Sequence, residues 1–216
     1  VVVGEDTWSI FKALKSLDCK WKSGPYSEHN SAENRVLLEQ SVQQKGDEVA
    51  RYGISLSSAQ SDRVVEATYY YPHQAHASME PPVAIAEFNR NGLELWTGTQ
   101  APQLAQDEIA RYLKYPAYKI TVHNLPMGGA FGRKSKPDVS AEAAYLSMKT
   151  GKAIRVQWTR ADDIQHGFYH AVSAQHVEAA LDDDGKIDAY LHRTAFSPIA
   201  STFQEGANAP FSFELD

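Results

Sequence analysis

Cysteine is nearly absent from this sequence: Cys19 stands alone among 216 residues. One thiol excludes an internal disulfide, and it excludes a zinc site or iron–sulfur cluster held by the chain's own thiolates. No apolar run approaches the roughly 18 residues that a membrane-spanning helix needs. The start, Val1-Val2-Val3-Gly4, has neither the methionine nor the basic region of an export signal and reads as a buried strand. Positive charge is also scarce, with 21 Lys and Arg against 27 Asp and Glu and a net charge of -6. Phosphate recognition rests on a basic field, so nucleic-acid binding is not expected as the main function. What is present is ordinary for a globular chain: 43% apolar and 22% charged residues, enough for one large domain or two small ones.

The hydrophobic spacing gives a mixed α+β reading. Asp6 or Thr7 caps a predicted helix carrying Trp8, Phe11, Leu14 and Leu17, and Cys19 to Lys22 alternates like a short strand that stops at Gly24-Pro25. Ser31 opens a second helix through Val42, ending near Gly46, within a polar stretch from Tyr26 to Asp62 that reads as a linker. From Val64 the pattern changes. Strands are predicted at Val64 to Tyr71, Val83 to Phe88 and Leu93 to Trp96, the last two joined at Asn91-Gly92. Pro102 begins a helix over Leu104, Ile109 and Leu113, and Ile120 and Val122 mark another strand. A helix from Val139 to Met148 ends at Gly151, and a strand covers Ala153 to Trp158. Val172 to Leu181 and Lys186 to His192 flank Asp184-Gly185, which predicts an antiparallel hairpin.

Four segments carry groups capable of chemistry. Met127-Gly128-Gly129-Ala130-Phe131-Gly132-Arg133-Lys134-Ser135-Lys136 places three glycines around one aromatic and follows them with three cations. Backbone N–H groups there can approach an anion closely, and a tight turn between strand and helix is the equally open alternative. Neither common phosphate fingerprint fits: Gly132 is followed by Arg133 rather than Lys, and Ala130 stands where a dinucleotide loop needs glycine. Thr97-Gly98-Thr99-Gln100 sits at a strand end before a helix, where ligands often bind, although capping by Thr99 explains it as simply. His76 and Glu80 are four apart, but Pro81 and Pro82 argue against a helix, so His76 reads as structural. His166 and His170, with Asp162 and Asp163 nearby, lack the Glu of a zincin and are read as a loop. The acidic run Asp182 to Asp184 lacks a calcium-loop pattern and reads as a solvated hairpin tip.

In order along the chain, these segments resemble the large subunit of molybdenum hydroxylases, the xanthine oxidase and aldehyde oxidoreductase superfamily. His76-Ala77-Ser78-Met79-Glu80-Pro81 resembles His-Ala-x-Met-Glu-Pro, and Thr99-Gln100 with Pro102-Gln103 resembles Thr-Gln-x-Pro-Gln. Gly128 to Arg133 is similar to Gly-Gly-Gly-Phe-Gly-Arg, and Trp158 to Asp163 to Trp-Thr-Arg-Glu-Asp-Asp. Arg133 and the Trp-Thr-Arg stretch favour the isoquinoline 1-oxidoreductase beta-subunit type over xanthine dehydrogenase.

The resemblance implies a molybdenum-dependent oxidoreductase that hydroxylates an aldehyde or N-heterocycle using water. The alternatives are a non-catalytic cofactor-binding or assembly domain, and a nucleotide-binding enzyme with a drifted glycine loop. It implies molybdopterin, in the cytosine dinucleotide form, as cofactor. By the same resemblance, Gln100 matches the glutamine that hydrogen-bonds an oxygen on molybdenum. Phe131 and Gly132 match the residues whose backbone lies against the metal centre and pterin, and Gly128, Gly129 and Arg133 belong to the surrounding loop. No direct metal ligand and no catalytic residue are expected here, because the family's base glutamate lies further downstream than residue 216. Ala130 replaces the third glycine, and Ser135 stands where xanthine dehydrogenases carry a substrate-contacting Glu. The resemblance further implies iron–sulfur clusters on a small partner subunit and, beyond it, a cytochrome. It suggests a periplasmic or inner-membrane-associated location, with the cytoplasm as alternative. It divides the chain into the tail of a preceding domain (1–25), a linker with helix (26–63) and the first part of the molybdenum domain (64–216). The Gln100 and Phe131-Gly132 loops should then meet at one sheet edge, as one wall of a cleft.

Overall fold

A computed structural model describes residues 2–59, 63–204 and 206–215. The chain divides into two compact units, Val1–Leu37 and Leu38–Asp216, each described by itself. In the first unit, helix α1 (Thr7–Leu14) is capped by Asp6, whose carboxylate accepts from the Ser9 N–H at 2.9 Å. Its apolar residues Trp8, Phe11 and Leu14 are exposed. Helix α2 (Ser31–Ser41) begins in this unit and is capped by Asn30, whose amide oxygen accepts from Ala32 N at 2.9 Å. The two strands expected here do not form: residues 2–3 and 19–22 are irregular, and Val1 lies outside the described residues. Alternation alone cannot make a strand, because its N–H and C=O groups need a neighbouring strand, and among the described residues none pairs with these segments.

Among the described residues the second unit holds two sheets. In one, β2 (Val83–Asn89), β3 (Gly92–Thr97), β4 (Ile120–Asn124) and β5 (Ile154–Gln157) stand in the order β4-β3-β2-β5. The β2–β3 and β2–β5 pairs are antiparallel, whereas β3 and β4 are parallel. The other sheet, β1 (Val64–Tyr71), β6 (Ser173–Leu181) and β7 (Ile187–Phe196), is antiparallel throughout in the order β1-β6-β7. The predicted α+β class therefore holds, with one mixed and one antiparallel sheet. The predicted hairpin forms: Asp182 Oδ1 accepts from Asp184 N and Lys186 N, and Gly185 takes a positive φ of 79°.

Parallel neighbours require a crossover, and α3 (Pro102–Leu113) supplies it between β3 and β4. Pro102 starts this helix at a position where its missing N–H costs nothing. Helix α4 (Asp138–Thr150) lies against β2 with Ala143 and Ala144 fully buried, and Gly151 ends it in the left-handed conformation. The core joins Ala84, Ala86, Leu93, Leu95, Ile109, Ile120 and Val139. Small residues on β2 and α4 let helix and sheet approach, and the buried Ser147 offsets its own burial by bonding Lys152 O at 2.6 Å and Phe88 N at 2.8 Å. The turn at Asn91-Gly92 centres on Arg90 and Asn91, one residue earlier than the dipeptide suggests. Gly92, at φ 147°, lies so close to the Lys119 carbonyl that an added Cβ would sit 2.4 Å from its oxygen.

The stretch after Trp158, read as a loop, is instead helix α5 (Arg160–His166). Thr159 and Asp162 form a capping box: Thr159 Oγ1 accepts from Asp162 N, and the Asp162 carboxylate accepts from Thr159 N. A final short helix, α6, covers Ala200–Phe203. No helix among the described residues is long and apolar enough to cross a membrane.

Candidate functional site

Because β3 and β4 run parallel, their C-terminal ends emerge at one sheet edge, and the two loops that follow are laced together there. Leu125 N donates to Thr97 O at 3.0 Å, and Thr99 N donates to Asn124 Oδ1 at 3.0 Å. Thr99 Oγ1 and Gln100 N both donate to the carbonyl of Lys134, at 2.9 and 3.2 Å. Gly132 N donates to Gln100 Oε1 at 3.0 Å. The expected meeting of Gln100 with the Phe131-Gly132 backbone is therefore present. Gln100 and Phe131 are both exposed there, and an adjacent concavity is lined by Gly98, Thr99, Arg133, Lys134, Asp138 and neighbours. Thr99 does not cap α3, whose N-cap is Ala101; its hydroxyl braces the loop instead.

The glycine loop has the backbone its composition requires. Gly129 and Gly132 take φ of 92° and 99°, and between them Phe131 holds φ 55°, a strained value for an aromatic residue. The Phe131 ring is 66% exposed, so nothing in its own packing accounts for that conformation. Gly128 has no room for a side chain, since a Cβ would meet Glu80 Cβ at 2.7 Å. Ala130 is buried, and its carbonyl accepts from Ser78 Oγ, so its methyl does not stand on the open face.

The segment around His76 forms the other side of the loop. Glu80 N donates to Gly128 O at 3.1 Å, and the Glu80 carboxylate accepts from Gly128 N and pairs with Lys134 Nζ. Burial would raise the Glu80 pKa, but the Lys134 ammonium and the Gly128 N–H outweigh it and hold the carboxyl below its ordinary range. Arg160 donates to the carbonyls of Ser78 and Met79 and pairs with Asp163 at 2.6 Å, which fastens α5 to the same segment. His76 Nδ1 bonds Phe168 O at 3.1 Å, and its ring stacks on His170 at 4.1 Å. Burial and the neighbouring His170 push the His76 pKa down, so the neutral ring is favoured. The expectation of a structural His76 agrees with these contacts. In space, all four singled-out segments meet around one loop.

Two of the cations after the glycines point inward. The Arg133 guanidinium is buried, forks onto both oxygens of Asp138 at 3.0 and 2.7 Å, and lies over the rings of Trp158 and Phe168 at 5.3 and 5.5 Å. Its Nε is buried without a partner among the described residues. Lys134 is likewise committed to Glu80, and Lys136 bonds Thr202 O against Phe168 and Phe203. Desolvation lowers the Lys136 pKa. These side chains hold the loop rather than offer charge to a ligand. Among the described residues, however, no group accepts from the N–H of Gly129, Ala130 or Phe131. Three successive N–H groups without acceptors, beside an exposed Gln100, suit a long anionic cofactor bound through the backbone. Sequence reasoning missed Asp138, Lys134 and Arg160 as the residues that fix the loop; only the capping pattern Thr159-x-x-Asp162 would have revealed the helix that carries Arg160.

These segments thus belong to an α+β domain in which a glycine-rich backbone loop is braced by a glutamine. The molybdopterin cofactor-binding domain family matches residues 29–206, and the chain belongs to it, as part of the large subunit of the molybdenum hydroxylases. It is 30% identical to the beta subunit of isoquinoline 1-oxidoreductase from Brevundimonas diminuta over 96% of its own length, and 28% identical to a nicotinate dehydrogenase subunit from Pseudomonas putida over 97%. It spans 28% and 18% of the length of those two relatives. Among solved structures it is similar to quinoline 2-oxidoreductase from Pseudomonas putida, with a TM-score of 0.57 and 25% identity, over 62% of this chain and 18% of that one. It is also similar to the aldehyde oxidoreductase of Desulfovibrio gigas, with a TM-score of 0.54 and 25% identity, over 59% of this chain and 14% of that one.

Proposed function

We propose that this chain contributes part of the molybdopterin-binding wall of a molybdenum-dependent oxidoreductase that hydroxylates an aldehyde or an N-heterocycle with oxygen from water. The observation that supports it most is the 3.0 Å hydrogen bond from Gly132 N to Gln100 Oε1, which fixes a polar amide against the strained Phe131-Gly132 backbone. The cofactor, molybdopterin in its cytosine dinucleotide form, supplies the two-electron redox chemistry when bound. The chain's own residues position and enclose it. Gln100 commits its carbonyl to the loop, so its Nε2, which has no acceptor among the described residues, would remain to donate to the bound cofactor. The N–H groups of Gly129, Ala130 and Phe131 would hold anionic groups of the cofactor, and Gly128 permits close approach to the Glu80 segment. The exposed Phe131 ring would be available to shield a bound group from water. Arg133 acts on the cofactor indirectly, by anchoring the loop to Asp138.

The same reading takes residues 1–25 as the tail of a preceding domain, 26–63 as a linker with helix and 64–216 as the first part of the molybdenum domain. A small iron–sulfur subunit, and a cytochrome beyond it, would take the electrons. This fits the two relatives above, each of which is one subunit of a larger enzyme. The test is turnover of aldehydes and N-heterocycles by the full-length gene product in water enriched in oxygen-18. The label should appear in the product, and Gln100→Ala should lower kcat by about 100- to 1000-fold, the range for losing one such positioned donor. Product oxygen drawn from O2, or no oxidation in a molybdenum-loaded protein, would overturn the catalytic reading and leave the assembly domain.

A further inference from the structure

We propose that Glu66, His176 and Glu178, on the β1-β6-β7 sheet, form a binding site for a divalent cation of the zinc class. The register puts Glu66 opposite Glu178 and Thr68 opposite His176, so all four side chains share one face of adjacent antiparallel strands. One ligand atom from each of Glu66, His176 and Glu178 lies within 4.8 Å of the others. His176 Nε2 is 3.3 Å from Glu178 Oε1 and 4.0 Å from Glu66 Oε2. Ligand atoms around a tetrahedral zinc at about 2.0–2.1 Å sit roughly 3.3 Å apart, so the first pair already has the required separation. The Glu66 side chain is 71% exposed and free to close the second gap.

The imidazole is oriented for this role. His176 is buried, and its Nδ1 lies 2.9 Å from Thr68 Oγ1, which also accepts from Gln43 Nε2 at 3.1 Å. With Nδ1–H donating to that hydroxyl, the Nε2 lone pair faces the two carboxylates, the arrangement by which an outer hydrogen bond prepares a histidine ligand. Among the described residues Nε2 makes no hydrogen bond of good geometry, only the two carboxylate approaches. Arg193 pairs with Glu178 Oε1 at 2.8 Å. That oxygen has a second lone pair, and Oε2 is unused by Arg193, so the ion and the guanidinium can share the carboxylate. Two carboxylates against one guanidinium leave a net negative charge around a buried imidazole, which a divalent cation compensates. One nitrogen and two oxygens leave a fourth position for water. The nitrogen disfavours calcium and magnesium, which take oxygen ligands. The competing arrangement is a proton on Nε2, bridging the same carboxylates with Nδ1 accepting from Gln43 at 3.2 Å.

Calorimetric titration of the chain with Zn2+ separates the two. The expected result is one zinc per chain whose affinity falls at least about tenfold in His176→Gln and severalfold in Glu66→Gln. Glu66→Gln alters an exposed side chain and keeps the test decisive if His176→Gln fails to fold. No zinc binding by the unaltered chain, or binding equal in strength and number in every folded variant, overturns the proposal. Zinc held elsewhere, as at the stacked His76–His170 pair, would survive both substitutions and also counts against it.

Discussion

Replacing Arg133 by methionine removes the guanidinium while keeping a similar apolar volume, and the structure sets the size of the effect. The Arg133 side chain is 3% exposed and Asp138 is 23% exposed, so deleting the cation leaves a carboxylate with limited access to water. Breaking a buried ion pair from one side costs about 3–5 kcal/mol. Loss of the cation–π contacts with Trp158 and Phe168 adds about 1–2 kcal/mol at this buried site. Two features reduce the total. Asp138 is partly hydrated, and the unpartnered Arg133 Nε, which costs about 1–3 kcal/mol where it is, disappears with the substitution. The expected net loss is about 2–4 kcal/mol. Urea denaturation of the chain, followed by fluorescence of Trp158 and the other tryptophans, measures it as a lower midpoint at unchanged slope. Pairing Arg133→Met with Asp138→Leu should recover much of the loss, because the stranded charge is then gone. A loss below about 1 kcal/mol for Arg133→Met, or no recovery in the double variant, would refute the view that this pair anchors the glycine loop.

Gly92→Ala should destabilise the second unit strongly and lower its urea midpoint, because the new Cβ would meet the Lys119 backbone oxygen at 2.4 Å in a positive-φ conformation; an unchanged midpoint contradicts the turn geometry. Glu80 has a pKa depressed below 4.5, so its contribution to stability is fully present above that value and is lost as pH falls through the lower folded-state value. Glu80→Gln should therefore reduce stability at neutral pH and flatten the decline in the acid limb, and parallel stability–pH curves for the two proteins would exclude the Glu80–Lys134 pair as the cause.

The parts of the fold legible from sequence are those set by local pattern. Val64 to Tyr71 forms a strand with the predicted bounds, and Pro102 and Gly151 mark a helix start and a helix end because backbone restrictions act there regardless of context. The antiparallel hairpin at Asp184-Gly185 follows from the same local chemistry. Val2-Val3 and Cys19 to Lys22 mislead because strand formation depends on a distant partner that alternation does not reveal. Helix α5 escapes a reading that weighs His166 and His170 and not the Thr159–Asp162 capping box. Within the site, the meeting of Gln100 with Gly132 is predictable from the length of a strand-helix-strand crossover. The inward turn of Arg133 and Lys134 is not: each depends on a carboxylate, Asp138 or Glu80, whose placement only the folded chain defines.

Molybdenum and released pterin, quantified together in the full-length gene product from a molybdenum-replete host, test most directly whether the Gln100 and Phe131-Gly132 loops form a molybdopterin surface. The informative comparison is with a Gly129→Val variant. Gly129 holds φ 92° beside the Phe131 ring, so valine there distorts the loop without removing a charged or catalytic group. The expected result is about one molybdenum and one pterin per large subunit, in line with a single cofactor for this domain, and a fall of both in the variant. Absence of molybdenum from the unaltered protein, or equal loading of a folded Gly129→Val variant, would contradict it.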